Sequence, residues 1–220
     1  MAHELRVFED MSALADAAAS HMAERARVVQ ARGATFTMAL SGGTSPWVTF
    51  QKLAQESLYW PASRVYQVDE RCVRSDNDLR NLKHIRSALA GTEAPVVPMD
   101  VESPDLDEAC ALYAAALPER FDLIQLGIGP DGHCASLIPG DPVLDVDDQL
   151  VALSGPYQDT LRMTLTYPAL ARTNEVIWLI TGADKRDALA KLLAHDPSIP
   201  AGRVNVTASL IMADRAAAGS

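Results

Sequence analysis

Cysteine is scarce in this chain. Its 220 residues include three, and their odd number and wide spacing predict neither a disulfide framework nor a zinc motif. Cys110 falls in an alanine-rich helical stretch, where we expect it to pack in the core. Cys72 and Cys134 stand beside two strongly polar segments, so we interpret them as candidate lining residues of a site rather than as nucleophiles.

Long apolar runs and basic residues are also lacking. No apolar run approaches the roughly 20 residues that a membrane span needs, and the N-terminus lacks the basic and apolar regions of a secretory signal. We therefore expect a cytoplasmic protein with no membrane partner. The 19 Lys and Arg against 29 Asp and Glu give a net charge of −10, which argues against a nucleic-acid surface. A small anionic ligand would require cations gathered locally in a pocket.

Helical and strand patterns alternate along the chain, in which 48% of residues are apolar. Helices are predicted near residues 14–29, 47–55, 79–89, 106–117 and 185–193, and Ser45 with Pro46 predicts the N-cap and first turn of the second one. Strands are predicted at residues 35–40, 65–68, 121–126, 161–166, 176–181 and 204–206. Residues 139–149 read as an exposed loop. The pattern predicts one α/β domain over residues 1–220, with a mostly parallel, open, Rossmann-like sheet and helices on both faces.

A first polar cluster follows the strand at residues 35–40. Open parallel sheets bind ligands at the carboxyl ends of their strands, where loops lead into helices. Here Gly42 and Gly43 would let the backbone approach a ligand closely, and Ser41, Thr44 and Ser45 add hydroxyl donors. The cluster suits a phosphate and matches no nucleotide fingerprint. A tight turn with a helix cap is an equally good interpretation of these residues alone.

A second cluster, Asp69, Glu70 and Arg71, follows the strand at residues 65–68. Three consecutive charges are usually a solvated loop. Their position at a strand's carboxyl end also favours a functional role, so both interpretations stay open.

A third cluster, residues 127–133, ends a strand in three glycines, a proline, Asp131 and His133. An imidazole takes up and releases a proton near neutral pH, and a carboxylate two residues away can orient it. A structural turn with a surface histidine and a metal site are the alternatives, but these two side chains are too few to hold a metal. We favour acid–base catalysis.

Two later cations, Arg162 and Lys185, also fall near predicted strand ends. Each alone is most simply an ordinary surface charge. Together they would supply the local positive field that an acidic protein needs in order to bind an anionic substrate.

These motifs, in this order, resemble those of the 6-phosphogluconolactonase family, which is related to glucosamine-6-phosphate isomerases. The resemblance rests on Ser-Gly-Gly-Thr, Asp-Glu-Arg, Gly-Pro-Asp-Gly-His-x-Ala-Ser-Leu-x-Pro-Gly, Arg-Met-Thr-Leu-Thr, Thr-Gly-Ala-Asp-Lys and Asp-Arg-Ala-Ala, which span nearly the whole chain. It implies the sugar-phosphate isomerase type of fold. It also implies hydrolysis of 6-phosphoglucono-δ-lactone to 6-phosphogluconate in the pentose phosphate pathway, without a metal or organic cofactor.

The resemblance also implies roles for individual residues. His133 would be the general base that activates water, Arg71 would polarise the carbonyl or stabilise the oxyanion, and Asp131 would orient the site. The implied substrate-binding and phosphate-binding residues are Ser41, Gly42, Gly43, Thr44, Ser45, Asp69, Arg162 and Lys185.

The chain departs from the family pattern in several places. Arg74 stands where proline is common, and Arg80-Asn81 stands where a Ser-Asn pair is expected, which leaves the role of Asn81 open. Arg74 and Arg80 either add phosphate contacts or face solvent. Cys134 replaces a common threonine.

Two other functions compete with the lactonase interpretation. A glucosamine-6-phosphate deaminase would carry a glutamate where this chain has Ile138 and an aromatic residue where it has Arg71, so both positions favour the lactonase. A non-catalytic sugar-phosphate sensor should have lost His133 or Arg71 and should carry a DNA-binding segment. The expected partner is a small sugar-phosphate lactone, and the chain is expected to be a monomer or a small homo-oligomer.

Overall fold

A seven-stranded sheet, in which every neighbouring pair of strands is parallel, forms the centre of the molecule. The computed structural model describes residues 3–219; residues 1–2 and 220, the ends of the predicted domain, lie outside the described residues. The strand order is β1 (Glu4–Phe8), β10 (Ser209–Asp214), β9 (Val176–Ile180), β6 (Leu123–Leu126), β2 (Phe36–Leu40), β3 (Ser63–Gln67) and β5 (Val96–Val97).

Helices cover both faces of this sheet, which confirms the predicted fold class. Phe36, Met38 and Leu40 of β2 pack with the helices of one face, whereas Ala39 points into the opposite core, as the two-residue period of a strand requires. One face carries α1 (Met11–Gln30), α2 (Thr44–Leu53) and α3 (Asn81–Ala88), and the other carries α4 (Leu106–Ala116), α5 (Tyr167–Leu170), α6 (Arg186–Leu193) and α7 (Arg215–Ala218).

A separate antiparallel sheet contains β4 (Asp69–Arg71), β8 (Thr160–Leu165) and β7 (Val151–Tyr157), with β8 in the centre. The strand predicted at residues 161–166 is therefore present but does not join the parallel sheet. The reason is local, because β7 and β8 are joined through Gln158 and Asp159, both with positive φ (52° and 61°). Such a short turn reverses the chain and can join only antiparallel strands.

Several predicted boundaries were wrong. The N-cap of α2 is Gly43, with φ of 129°, and Ser45 lies inside the helix, because glycine lets the chain turn two residues earlier than the serine signal indicated. Residues 204–206 form no strand, since their apolar signal is only three residues long, and the neighbouring strand is instead the fully buried β10. The pattern also missed the exposed edge strand β1 and the strand β7.

The segment 139–149 is largely exposed, as predicted, but it contains a 3-10 turn at Pro142–Asp145 that buries Val143. Within residues 3–219, no helix combines the length and apolar character that a membrane crossing requires.

Candidate active site

A cleft of about 390 Å³ lies at the carboxyl ends of β2, β6 and β9, beside the small antiparallel sheet. This is the position at which open parallel sheets bind ligands. All the residues predicted to bind substrate line it, together with Arg71 and His133, whereas Asp131 stands directly behind the histidine. The other lining residues are Pro46, Asn81, Gly127, Ile128, Gly129, Pro130, Ala135, Tyr157, Gln158, Leu179, Ile180 and Thr181.

His133 and Asp131 form a close pair at the rim of this cleft. The Nδ1 of His133 lies 2.6 Å from Oδ1 of Asp131, which also accepts the backbone N–H of His133 at 3.2 Å. Because Nδ1 donates its hydrogen to the carboxylate, the lone pair of the neutral ring lies on Nε2. The side chain of His133 is 22% exposed, so the pair is reachable from solvent without being surrounded by it.

The charge of Asp131 is stabilised by its surroundings. Burial would raise the pKa of this carboxyl, but the His133 ring and a hydrogen bond from the Tyr157 hydroxyl outweigh burial and lower it. Asp131 is therefore a carboxylate at neutral pH, able to stabilise an imidazolium formed next to it.

Two glycines explain how the chain forms this turn. The N–H of Gly129 donates to the carbonyl of His133, and Gly132, with φ of 85°, donates to the carbonyl of Gly129. A Cβ on Gly129 would collide with the imidazole, and one on Gly132 would lie 2.5 Å from Ile199. The backbone at Gly129 lies too close to His133, and that at Gly132 too close to Ile199, for either residue to carry a Cβ. Only glycine therefore fits at these two positions.

Two arginines face each other across the small sheet. Arg71 of β4 is in register with Arg162 of β8, and Arg162 is almost fully buried. Burial lowers the pKa of Arg162, and the neighbouring charge of Arg71 lowers it further. The Nε groups of both arginines are buried and have no hydrogen-bond partner among the described residues. A bound anion would relieve the repulsion between the two guanidinium groups.

Asp69 is held firmly between neighbouring side chains. Its Oδ2 accepts a 2.7 Å hydrogen bond from Ser136 Oγ, and its Oδ1 accepts one from Asn81 Nδ2 at 3.3 Å. Asn81 in turn accepts a hydrogen bond from Arg71 Nη1. Asp69 therefore acts as a fixed negative charge beside the arginines, and Asn81, whose role the sequence left open, orients Arg71.

Arg80 and Arg74 do not line the cleft. Arg80 is buried, its Nε lies 3.3 Å from Oε2 of the fully buried Glu70, and its Nη1 donates to the carbonyl of Val73. Arg80 thus has neither of the two roles considered from the sequence, phosphate contact or solvent exposure. Arg74 is 85% exposed and pairs with Asp76, which agrees with the solvent-facing alternative.

The glycine-rich loop after β2 is anchored from below. Ser41 donates to Oε1 of Gln125 through both its N–H and its hydroxyl, at 3.1 and 3.2 Å. Ser45 Oγ lies 2.5 Å from Thr181 Oγ1, which ties the loop to the end of β9. Lys185 lines the same cleft and pairs with Asp184 at 3.0 Å. Thr44 and Gly43 remain exposed at the mouth.

The family model described as glucosamine-6-phosphate isomerases/6-phosphogluconolactonase matches residues 9–212. The chain belongs to this family.

Relatives in the family match nearly the whole chain. The 6-phosphogluconolactonase of Mycobacterium tuberculosis is 35% identical, with 99% of this chain and 98% of the relative covered. The crystal structure of the 6-phosphogluconolactonase of Thermotoga maritima superposes with a TM-score of 0.87 at 28% identity, covering 96% of this chain and 99% of that one.

The shape of the family fold does not separate its activities. A monomeric glucosamine-6-phosphate deaminase also superposes with a TM-score of 0.88, at 17% identity, covering 98% of this chain and 99% of that one. At that identity the likeness shows the fold alone. The choice between reactions therefore rests on the residues in the cleft.

The cysteines next to the family motifs do not line the cleft. Cys134 is buried in the core, and Cys72 is half-buried and packs against the same core. Neither residue lines the cleft. Burial, and then the charge of Glu70, raises the pKa of the Cys72 thiol to about 11, so it is protonated at neutral pH. The sequence left open whether these cysteines line the site, and neither is among the residues that line the cleft.

Sequence reasoning missed several lining residues, notably Tyr157, Gln158 and Thr181. Tyr157 and Gln158 stand at the tip of the hairpin formed by β7 and β8, and Gln-Asp is not a typical hairpin turn pair. Within residues 3–219, no three His, Cys, Asp or Glu side chains are grouped so as to hold a metal ion.

Proposed function

We propose that this protein hydrolyses 6-phosphoglucono-δ-lactone to 6-phosphogluconate. The observation that carries the proposal is the combination, in one cleft, of a carboxylate-oriented imidazole and two neighbouring arginines, Arg71 and Arg162, whose positive charges repel each other. The first suits activation of water, and the second suits an anionic substrate with a developing oxyanion. The lactonase names of the full-length relatives in the family support the same reaction.

His133 is proposed as the general base. Its Nε2 takes a proton from water as the water oxygen bonds to the lactone carbonyl carbon. When the tetrahedral intermediate collapses, the bond from that carbon to the ring oxygen breaks and Nε2 returns the proton to the ring oxygen. The products are the open-chain acid and the unchanged imidazole, and Asp131, 2.6 Å from Nδ1, stabilises the transient imidazolium.

Arg71 is proposed to stabilise the oxyanion. Its guanidinium is oriented by the hydrogen bond to Asn81 and is repelled by the charge of Arg162. The oxyanion would therefore meet a hydrogen-bond donor that is already in a fixed position. Preorganised donors of this kind contribute about 10²–10³ in rate each.

The phosphate group is proposed to bind between the glycine-rich loop after β2 and the cations Arg162 and Lys185. Thr44 of this loop is exposed at the mouth of the cleft, and both cations line the same cleft. Because the chain has a net charge of −10, these local cations must outweigh a repulsive overall field.

Deamination fits this cleft less well. Asp69 is the single carboxylate among the described lining residues, and it already accepts hydrogen bonds from Ser136 and Asn81. Ile138, where the resemblance places a deaminase glutamate, is a buried apolar residue. Neither residue is available as a mobile acid beside the substrate.

One assay distinguishes the reactions. The purified protein, in the presence of a chelator, is expected to accelerate lactone hydrolysis above the spontaneous rate and to release no ammonia from glucosamine 6-phosphate. Ammonia release without lactone hydrolysis would favour the deaminase. Binding of sugar phosphates without turnover of either substrate would favour a sensor.

A further inference from the structure

Tyr157 contacts both the His133–Asp131 pair and Arg162, although no sequence motif includes it. Its hydroxyl lies 3.3 Å from Oδ2 of Asp131, and its ring meets the His133 ring edge-on, with 5.2 Å between centroids. The guanidinium carbon of Arg162 lies 5.0 Å from the same ring's centroid. One side chain therefore touches the base, the carboxylate that orients it, and a substrate-binding cation.

The hydroxyl of Tyr157 completes the coordination of Asp131. Oδ1 of the carboxylate is occupied by the N–H and Nδ1 of His133, and Oδ2 accepts the tyrosine hydroxyl. Because both oxygens are engaged, these contacts restrict rotation of the carboxylate away from the imidazole. The pKa of Tyr157 is raised, first by burial and then by the charge of Asp131, so the hydroxyl keeps its proton and stays a donor.

The ring and backbone of Tyr157 fix Arg162. The carbonyl of Tyr157 accepts a 3.2 Å hydrogen bond from Arg162 Nη2, and the guanidinium also contacts the face of the ring. These contacts oppose the repulsion that the charge of Arg71 exerts on Arg162. The position of Tyr157 at the end of β7, next to the positive-φ turn at Gln158 and Asp159, aims the ring into the cleft.

We propose that Tyr157 is a positioning residue that holds Asp131 against His133 through its hydroxyl and holds Arg162 in the substrate site through its ring. The inference rests on the proposed lactonase function. It assigns two separable effects to one side chain, because the hydroxyl serves the proton-transfer pair and the ring serves substrate binding.

Two variants separate these effects. Tyr157→Phe keeps the ring and removes the hydroxyl, so kcat should fall about threefold to tenfold, the worth of one hydrogen bond, while KM stays within about twofold. Tyr157→Leu also removes the ring, so KM should rise by a further factor of at least about three, as expected for a lost cation–π contact. Tyr59→Phe, at a tyrosine that is 68% exposed and does not line the cleft, is the matched control and should keep wild-type constants.

The outcomes are distinguishable. Thermal unfolding midpoints measured in parallel show whether each variant is folded at the assay temperature. Wild-type kinetics in folded Tyr157→Phe, or an identical fall of kcat with unchanged KM in both variants, would overturn the inference and leave the proposed function standing. A wild-type protein that does not accelerate lactone hydrolysis would overturn both.

Discussion

Asn81 determines more of the cleft's geometry than its place in the sequence indicates. Its Nδ2 donates to the carbonyl of Asp69 at 2.9 Å, its Oδ1 accepts from Arg71, and its backbone N–H donates to Glu70 at 2.8 Å. Gly42 lies against the same amide, and any Cβ there would collide with it. The glycine after Ser41 is therefore needed for close approach to Asn81, and the phosphate-loop interpretation alone did not require this.

Gly42→Ala should lower kcat/KM by at least about tenfold. The added methyl group displaces Asn81 and, through it, Arg71, and a misplacement of about 1 Å costs up to about 10² in rate. Steady-state kinetics on the lactone measure this effect.

The control is a double variant. In an Asn81→Ala background the collision is gone, so adding Gly42→Ala should cost less than about threefold more. Full additivity of the two losses, or wild-type activity in Gly42→Ala, would show that this contact does not position Arg71.

Among the secondary-structure elements, the connection from β4 to α3 is held in place by hydrogen bonds to one buried carboxylate, that of Glu70. Glu70 accepts the N–H groups of Asn81 and Leu82, each at 2.8 Å, at the start of a helix whose N-cap residue, Arg80, offers no side-chain acceptor. It also accepts from Gln67 at 2.8 Å and pairs with Arg80. Glu70 thus caps α3 from outside and satisfies N–H groups that would otherwise be buried without partners.

Glu70→Gln should lower the free energy of unfolding by about 3 kcal/mol, because it leaves Arg80 buried without its fully buried partner. Denaturant unfolding measures the change. Glu102→Gln removes the other, 46% exposed partner of Arg80, at 3.5 Å, and should cost less than about 1 kcal/mol. Equal losses in the two variants would contradict the assignment of Glu70 as the anchor.

The sequence patterns predicted some of these helices and strands and missed others. The helix at Met11–Gln30 and the strands at Phe36–Leu40 and Val176–Ile180 were predicted because their periodicity is long or their apolar run is continuous. The small antiparallel sheet was not predicted, because β4 consists of three polar residues that pair only with distant β8. The motifs identified His133 and Arg71 as candidates, but Tyr157 enters the site through tertiary contacts that no local pattern records.

In the molecule as a whole, the two ends of the parallel sheet have different roles. The carboxyl ends form the cleft, whereas Glu175, just before β9 at the opposite end, links the strand to α1 through His21 at 3.0 Å and Arg25 at 3.1 Å. Burial would raise the pKa of Glu175, but the His21 hydrogen bond, together with the charges of His21, Arg25 and Arg6, outweighs burial and lowers it.

This shift predicts a pH dependence of stability that is independent of the cleft. A carboxyl whose pKa is lowered by folding stabilises the protein above its ordinary pKa of 4.5, and the stabilisation is lost as pH falls through the lower folded value. The difference in unfolding free energy between wild type and Glu175→Gln should therefore be largest near pH 6 and shrink below about pH 4.5. Glu24→Gln, at a 66% exposed glutamate, should show no such trend. A difference that stays constant to about pH 3 would contradict the assignment.

We propose above that His133, oriented by Asp131, is the general base in the hydrolysis of the lactone. The most direct measurement is kcat for 6-phosphogluconolactone in wild type and His133→Ala, with the spontaneous rate subtracted and His84→Ala as a control at a histidine on α3, outside the cleft. This role of His133 predicts that kcat in His133→Ala falls by about 10²–10⁴, that KM changes only a few-fold, and that the control is unaffected. An unaltered kcat in folded His133→Ala would contradict it.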